Sequence, residues 1–140
     1  MKIERRQFLH LAGGTAALPV VSPAAAFGPG TIIPSNSIKI VERTHYFAKP
    51  GLAAEVLEIR RKASAVRLSI GLPAGEIFVK HPGGDGREPD VAWQCVFVDA
   101  AAREADLAAR AASPAFESAR MQMRKLYARF ERQVFSIDTL

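Results

Sequence analysis

After residue 37 the apolar positions of this chain change period several times, and each change marks an element. Ile38–Phe47 (IKIVERTHYF) is dense in β-branched and aromatic residues and stops at the turn pair Pro50-Gly51, which predicts a strand. From Leu52 the apolar residues Val56, Ile59, Ala63, Val66 and Ile70 recur at steps of three or four, with Glu55, Glu58, Arg61, Lys62 and Arg67 falling elsewhere. This spacing predicts an amphipathic helix, closed by Gly71, Pro73 and Gly75. Glu76–His81 (EIFVKH) and Asp90–Val98 (DVAWQCVFV) predict two strands joined as a hairpin by a charged, Gly-rich connection. Asp99 stands as N-cap of an alanine-rich helix running to about Ala111, and Ser113-Pro114 starts another. On this last helix Phe116, Ala119, Met123, Tyr127 and Phe130 form one apolar face, and Gln133–Ile137 (QVFSI) reads as a short closing strand.

The order β-α-β-β-α-β, with its second helical segment broken in two, predicts an α+β domain of the ferredoxin-like, split β-α-β type. Helices then cover one face of a four-stranded antiparallel sheet. The strands are apolar on both faces, so the open face predicts a face-to-face homodimer.

The segment before the first strand has a different layout. A basic head, an apolar middle from Phe8 to Val21 and a small-residue tail are the three parts of a secretory signal. The middle is shorter than the roughly 20 residues that span a bilayer as a helix, so the segment reads as removable and leaves no membrane anchor. Ala24, Ala25 and Ala26 meet the A-x-A cleavage pattern, which assigns residues 1–26 to the signal. Residues 27–37, rich in Gly and Pro, read as an extended lead-in, and residues 38–140 as one domain. The head also resembles the twin-arginine class of export signals through Arg5-Arg6 followed by Gln7, Phe8 and Leu9, with Glu4 and His10 at the looser flanking positions. That resemblance implies a domain that folds before crossing the membrane and resides in the periplasm.

The formal charge of +5 raises the question of nucleic acid. Lys2, Arg5 and Arg6 lie in the signal. The remaining excess gathers in Arg60, Arg61, Lys62 and Arg67, and in Arg120, Arg124, Lys125, Arg129 and Arg132, on stretches that read as solvated helix faces. No nucleic-acid recognition motif accompanies them, so nucleic acid is not expected as a partner. The single cysteine, Cys95, rules out an intramolecular disulfide framework and predicts a buried, inert thiol. After the signal the histidines are His45 and His81, in no metal-ligand spacing, so no metal site is expected. Pro82-Gly83-Gly84-Asp85-Gly86 lacks the Gly-Lys-Ser/Thr of a phosphate loop and reads as a hairpin connection.

Glu42, Tyr46, Lys49, Pro50 and Gly51 fall at the distances of an E-L-R-x-Y core followed by K-P-G, with Thr44 at the arginine position and Arg43 one residue early. Trp93, Phe97-Val98-Asp99 and Ser113-Pro114-Ala115-Phe116 continue the pattern. Through these residues the chain resembles the dimeric α/β-barrel superfamily, and within it the NIPSNAP-like domains. The resemblance implies two sheets packed into a barrel that holds a small, often aromatic or haem-like ligand. The superfamily includes cofactor-independent monooxygenases, haem-degrading enzymes and isomerases, so fold leaves the reaction open. Ala100–Arg132 contains no histidine, which disfavours a haem-degrading site with a helix-borne axial ligand.

On the first strand Glu42, Thr44 and Tyr46 share one face, and Arg43 and His45 the other. The family pattern favours Glu42 and Tyr46 as pocket residues, whereas the acid-base capacity of an imidazole near neutral pH favours His45. The plainer alternative pairs Glu42 and Arg43 with neighbours at a sheet rim. Trp93 either stacks on an aromatic ligand or packs in the core. No cofactor is specified. Two functions stay open: an exported small-molecule-binding or accessory domain, and a cofactor-independent monooxygenase or isomerase acting on an aromatic ligand. The absence of a catalytic constellation favours the first.

Overall fold

The computed structural model describes residues 38–138; the segments read from the sequence as an export signal and a lead-in, and the last two residues, lie outside the described residues. The elements are β1 (Ile40–Ala48), α1 (Ala53–Ser69), β2 (Glu76–Val79), β3 (Val91–Phe97), α2 (Ala100–Ala111), α3 (Pro114–Arg124) and β4 (Tyr127–Ser136). The two anticipated helix starts carry their caps. The Asp99 side chain accepts from Ala102 N–H at 2.7 Å, and Ser113 Oγ accepts from Phe116 N–H at 3.2 Å with Pro114 in the first turn.

The strands form one antiparallel sheet in the order β2-β3-β1-β4, the arrangement of a ferredoxin-like α+β domain. Register fixes which residues share a face. Glu42 lies opposite Cys95 and Val134, Thr44 opposite Trp93 and Arg132, and Tyr46 opposite Val91 and Phe130. These rows face the helices, and most of the core belongs to them: Tyr46, Val91, Trp93, Cys95 and Phe97 are buried, with Val56 of α1 and Met123 of α3. The alternate rows, Arg43/Gln94/Gln133 and His45/Ala92/Glu131, lie on the helix-free face. Phe78, Val96 and Phe135 on that face are each about half exposed.

Two elements depart from the sequence reading. The closing strand begins at Tyr127, not Gln133, and α3 ends at Arg124. Tyr127 pairs with Ala48 and Arg129 with Phe47, so Ala128 is an extra residue, a β-bulge. The bulge puts Tyr127 and Phe130, three residues apart, on one face of a strand, which mimics a helical step. The second departure is on α1. Its buried side comprises Val56, Arg60, Ala63, Ser64 and Arg67, so two arginines assigned to a solvated face are core residues instead. Leu52, Ile59, Val66 and Ile70 are only partly buried, because the helix is rotated to carry its arginines over the sheet.

Candidate functional site

A cleft of about 320 Å³ opens between the sheet and the helices, bounded by α1 and α3. Its floor is Thr44 and Tyr46 of β1 with Trp93 of β3. Ala63 and Ala119, small residues on the facing sides of α1 and α3, are among its lining residues. The apolar wall is aromatic: Tyr46, Tyr127 and Phe130 meet in tilted pairs with centroids 5.3–6.1 Å apart, and Phe116 adds a fourth ring.

The charge of the lining is one-sided. Arg60, Arg110, Arg120, Arg124 and Arg132 all contribute, and no carboxylate does. Three of the five have carboxylate partners outside the lining. Arg110 lies 3.5 Å from Glu42 and 2.6 Å from Asp106, the latter an electrostatic contact, since no acceptor is aligned with its Nε–H. Arg132 lies 3.6 Å from Glu42, and Arg120 lies 2.7 Å from Glu117. Among the described residues, Arg60 and Arg124 have no carboxylate within ion-pair distance.

Arg60 is the unusual member, being only 4% exposed. Its guanidinium sits 4.9 Å from the Trp93 ring, with Tyr46 Oη at 3.5 Å and Ser64 Oγ at 3.4 Å, both at the outer limit of a hydrogen bond. Its Nε has no partner, and neither does Thr44 Oγ1. Burial lowers the Arg60 pKa below its ordinary value; the nearby Tyr46 hydroxyl opposes the shift, and Arg67 and Arg110 add to it.

The floor is held from behind by a second set of contacts. Arg67, on the turn of α1 after Ser64, sits 4.8 Å from the Trp93 ring and makes a two-pronged bond to Asp106 at 3.1 and 2.5 Å. Arg67 Nε donates to Pro73 O at 2.6 Å, while Ser64 Oγ and Trp93 Nε1 both donate to Ala74 O, at 2.9 and 2.8 Å. Gly75 follows with φ +74°, and a Cβ there would stand 2.2 Å from Trp93 Nε1, so the backbone passes the indole where only glycine fits.

The residues singled out from the sequence divide between the two faces. Tyr46 and Trp93 line the cleft. Glu42 lies beside them on the same face, fully buried, and its carboxylate is taken by Arg103 at 2.9 Å together with Arg110 and Arg132. Arg43 and His45 are on the helix-free face, where Arg43 donates to Gln94 Oε1 and His45 Nδ1 lies 3.7 Å from Glu131. The cleft is therefore built within one chain, between sheet and helices. The space between two facing sheets is not where it lies. Its arginines come from α1, α2, α3 and β4 and form no sequence motif. The available signal was the step Val56, Arg60, Ala63, Ser64, Arg67, which is a full helical stripe if arginine is allowed to be a core residue.

The remaining candidates are quiet. Burial pushes the Cys95 thiol up, as expected for an inert cysteine. In the Gly-rich hairpin loop the Glu88 carboxylate accepts from the N–H groups of Asp85 and Gly86, so the chain itself fills that cradle. Among the described residues no group of three or more His, Cys, Asp or Glu side chains is placed to hold a metal, and no helix is long and apolar enough to cross a membrane.

No family model and no curated protein matches the sequence. Solved structures do match. A NIPSNAP family protein from Agrobacterium tumefaciens superposes with a TM-score of 0.58 at 17% identity, over 73% of this chain and 88% of that one. A dimeric ferredoxin-like protein from Thermobifida fusca gives 0.55 at 12% identity, over 73% and 93%. A variant of SnoaB, a cofactor-independent oxygenase from Streptomyces nogalater, gives 0.54 at 16% identity, over 74% and 97%. At these identities the likeness is one of fold: a ferredoxin-like sandwich similar to that of NIPSNAP proteins.

Proposed function

We propose that this chain is an exported small-molecule-binding or accessory domain of NIPSNAP-like type that works as a homodimer. The observation that carries the binding role is the cleft itself, an aromatic-walled space lined by Thr44 and Arg60, whose buried Oγ1 and Nε have no hydrogen-bond partner in the described chain. Pairing through the helix-free face is supported by the exposed Phe78, Val96 and Phe135 and by the likeness to the dimeric ferredoxin-like protein from Thermobifida fusca. Export to the periplasm is supported by Arg5-Arg6 and the alanine tail.

Trp93 is the chain's only tryptophan and lies in the cleft floor, so its fluorescence reads occupancy directly. Titrating purified protein with a set of flat aromatic compounds should change Trp93 emission saturably for some of them, and Ala119→Phe, which fills the cleft, should remove the response. A set in which no compound alters the emission would defeat the binding role.

An enzyme of the cofactor-independent oxygenase or isomerase type is the second reading. It is favoured by the Tyr46 hydroxyl beside the Arg60 guanidinium, a phenol placed in the cleft where a bound aromatic would meet it. Oxygen uptake or substrate turnover lost in Tyr46→Phe would decide for it.

A further inference from the structure

We propose that the ligand is an organic carboxylate, seated with its acid group between Arg60 and Thr44 and its flat apolar body against Tyr46, Tyr127 and Phe130. This rests on the cleft being a binding site and goes on to assign the charge and orientation of what it binds.

The case begins with Arg60. A guanidinium carries five N–H donors and no acceptor, and here it is 4% exposed with only two long hydroxyl contacts and an Nε that has no partner. Buried charges in folded proteins are paired, and Arg67, seven residues along the same helix, shows what pairing looks like: two short bonds to Asp106 and one to a carbonyl. Arg60 is also buried, over the same tryptophan, without the carboxylate. No carboxylate among the described residues fills that place, and an external anion is the partner assigned to it.

The surroundings specify which kind. A cation is rejected by five lining arginines with no lining carboxylate. Phosphate-like dianions are bound by several convergent donors, commonly including a helix N-terminus. Here the first turn of α3 is already capped by Ser113, and Arg110, Arg120 and Arg132 are committed to Asp106, Glu117 and Glu42. One deep guanidinium and two hydroxyls, Thr44 and Tyr46, fit a planar monoanion, which guanidinium grips through two parallel bonds. Beyond that seat the walls are aromatic, so the rest of the molecule is flat and apolar. Arg124, exposed and without a carboxylate, stands at the rim and supplies attraction during entry.

Calorimetric titration with 2-naphthoate and with uncharged 2-naphthamide separates shape from charge. The wild-type protein should bind the carboxylate about 10- to 100-fold more tightly, the range of a charge-assisted hydrogen-bonded contact. Arg60→Met should erase that preference while leaving amide binding in place, Arg60→Lys should retain part of it, and Thr44→Val, which keeps the shape, should reduce it by several-fold. Circular dichroism confirms that each variant is folded, and if Arg60→Met fails to fold, the Lys and Val variants carry the comparison. Equal binding of both probes by wild type overturns the carboxylate assignment and leaves the cleft as a binding site. A preference abolished by Arg124→Met and untouched at Arg60 overturns the seat. Binding of neither probe overturns the assignment and the binding site together.

Discussion

Arg60→Met should make the unliganded protein more stable. The native guanidinium has left water without acquiring a counter-ion among the described residues, and its burial lowers its pKa. An uncompensated buried charge costs about 3–5 kcal/mol, and methionine fills a similar elongated volume without it. Against this gain stand the lost contact with the Trp93 ring, worth about 1–2 kcal/mol for a desolvated pair, and two long hydroxyl contacts worth together about 1 kcal/mol. The balance favours methionine by about 1–2 kcal/mol, which for a domain of this size raises Tm by roughly 5–10 °C. The sign with pH follows from the lowered value. Between the folded and ordinary pKa the unfolded chain holds the proton and the folded chain does not, so wild-type stability climbs with pH in that window. The advantage of methionine is therefore largest at low pH and shrinks as pH rises through the folded value. Thermal denaturation followed by far-ultraviolet circular dichroism, repeated across pH, measures both effects. A Tm that falls in Arg60→Met would show that the guanidinium is structurally satisfied and would remove the reason for assigning it an external anion.

Glu42→Gln should do the opposite, since it strips the shared counter-ion from Arg103, Arg110 and Arg132; a loss of about 3–5 kcal/mol is expected, read as a Tm drop in the same assay. Phe78→Asp on the helix-free face should halve the native mass measured by light scattering without unfolding the chain, and an unchanged mass would place the subunit contact elsewhere. Replacing Arg5 and Arg6 by lysine should leave uncleaved precursor in the cytoplasm, and mature protein in the periplasm of that variant would refute the twin-arginine route. Cys95 should react slowly with a thiol reagent in the native protein and rapidly in urea; its raised pKa also means that stability is lost as pH climbs above the ordinary thiol value of 9.0.

Much of the fold was legible because local chemistry and global packing agree. Asp99 and Ser113-Pro114 mark helix starts by capping alone, and the apolar run Val91–Phe97 is a central strand covered on one side by helices. The fourth strand was less legible for a definite reason. One inserted residue, Ala128, gives Tyr127 and Phe130 a spacing that belongs to helices, and periodicity cannot distinguish a bulged strand from a helical turn. The site was legible in part. A two-residue period separates Glu42, Thr44 and Tyr46 from Arg43 and His45, but the strand does not say which face receives the helices. The cleft arginines were illegible as a group, because the basic runs that hold most of them read as solvated faces and their convergence is a product of tertiary packing. Arg60 and Arg61 are neighbours in sequence, yet one is buried and the other is among the more exposed residues of α1.

The carbonyl of Ala74 binds one side chain from α1 and another from β3, and Gly75 beside it leaves no room for a Cβ, so helix, loop and sheet meet at a point where almost any replacement disturbs all three. The opposite wall is different: Phe116, Arg120 and Arg124 stand on a single short helix, and the side-chain contacts of Phe116 and Arg120 reach Arg110 and Glu117 and not the Ala74 junction. Descendants of such a chain should therefore diverge unevenly. Ser64, Arg67, Gly75 and Trp93 should stay fixed over long lineages, whereas the α3 positions should drift and, in drifting, hand the same rigid floor to new molecules.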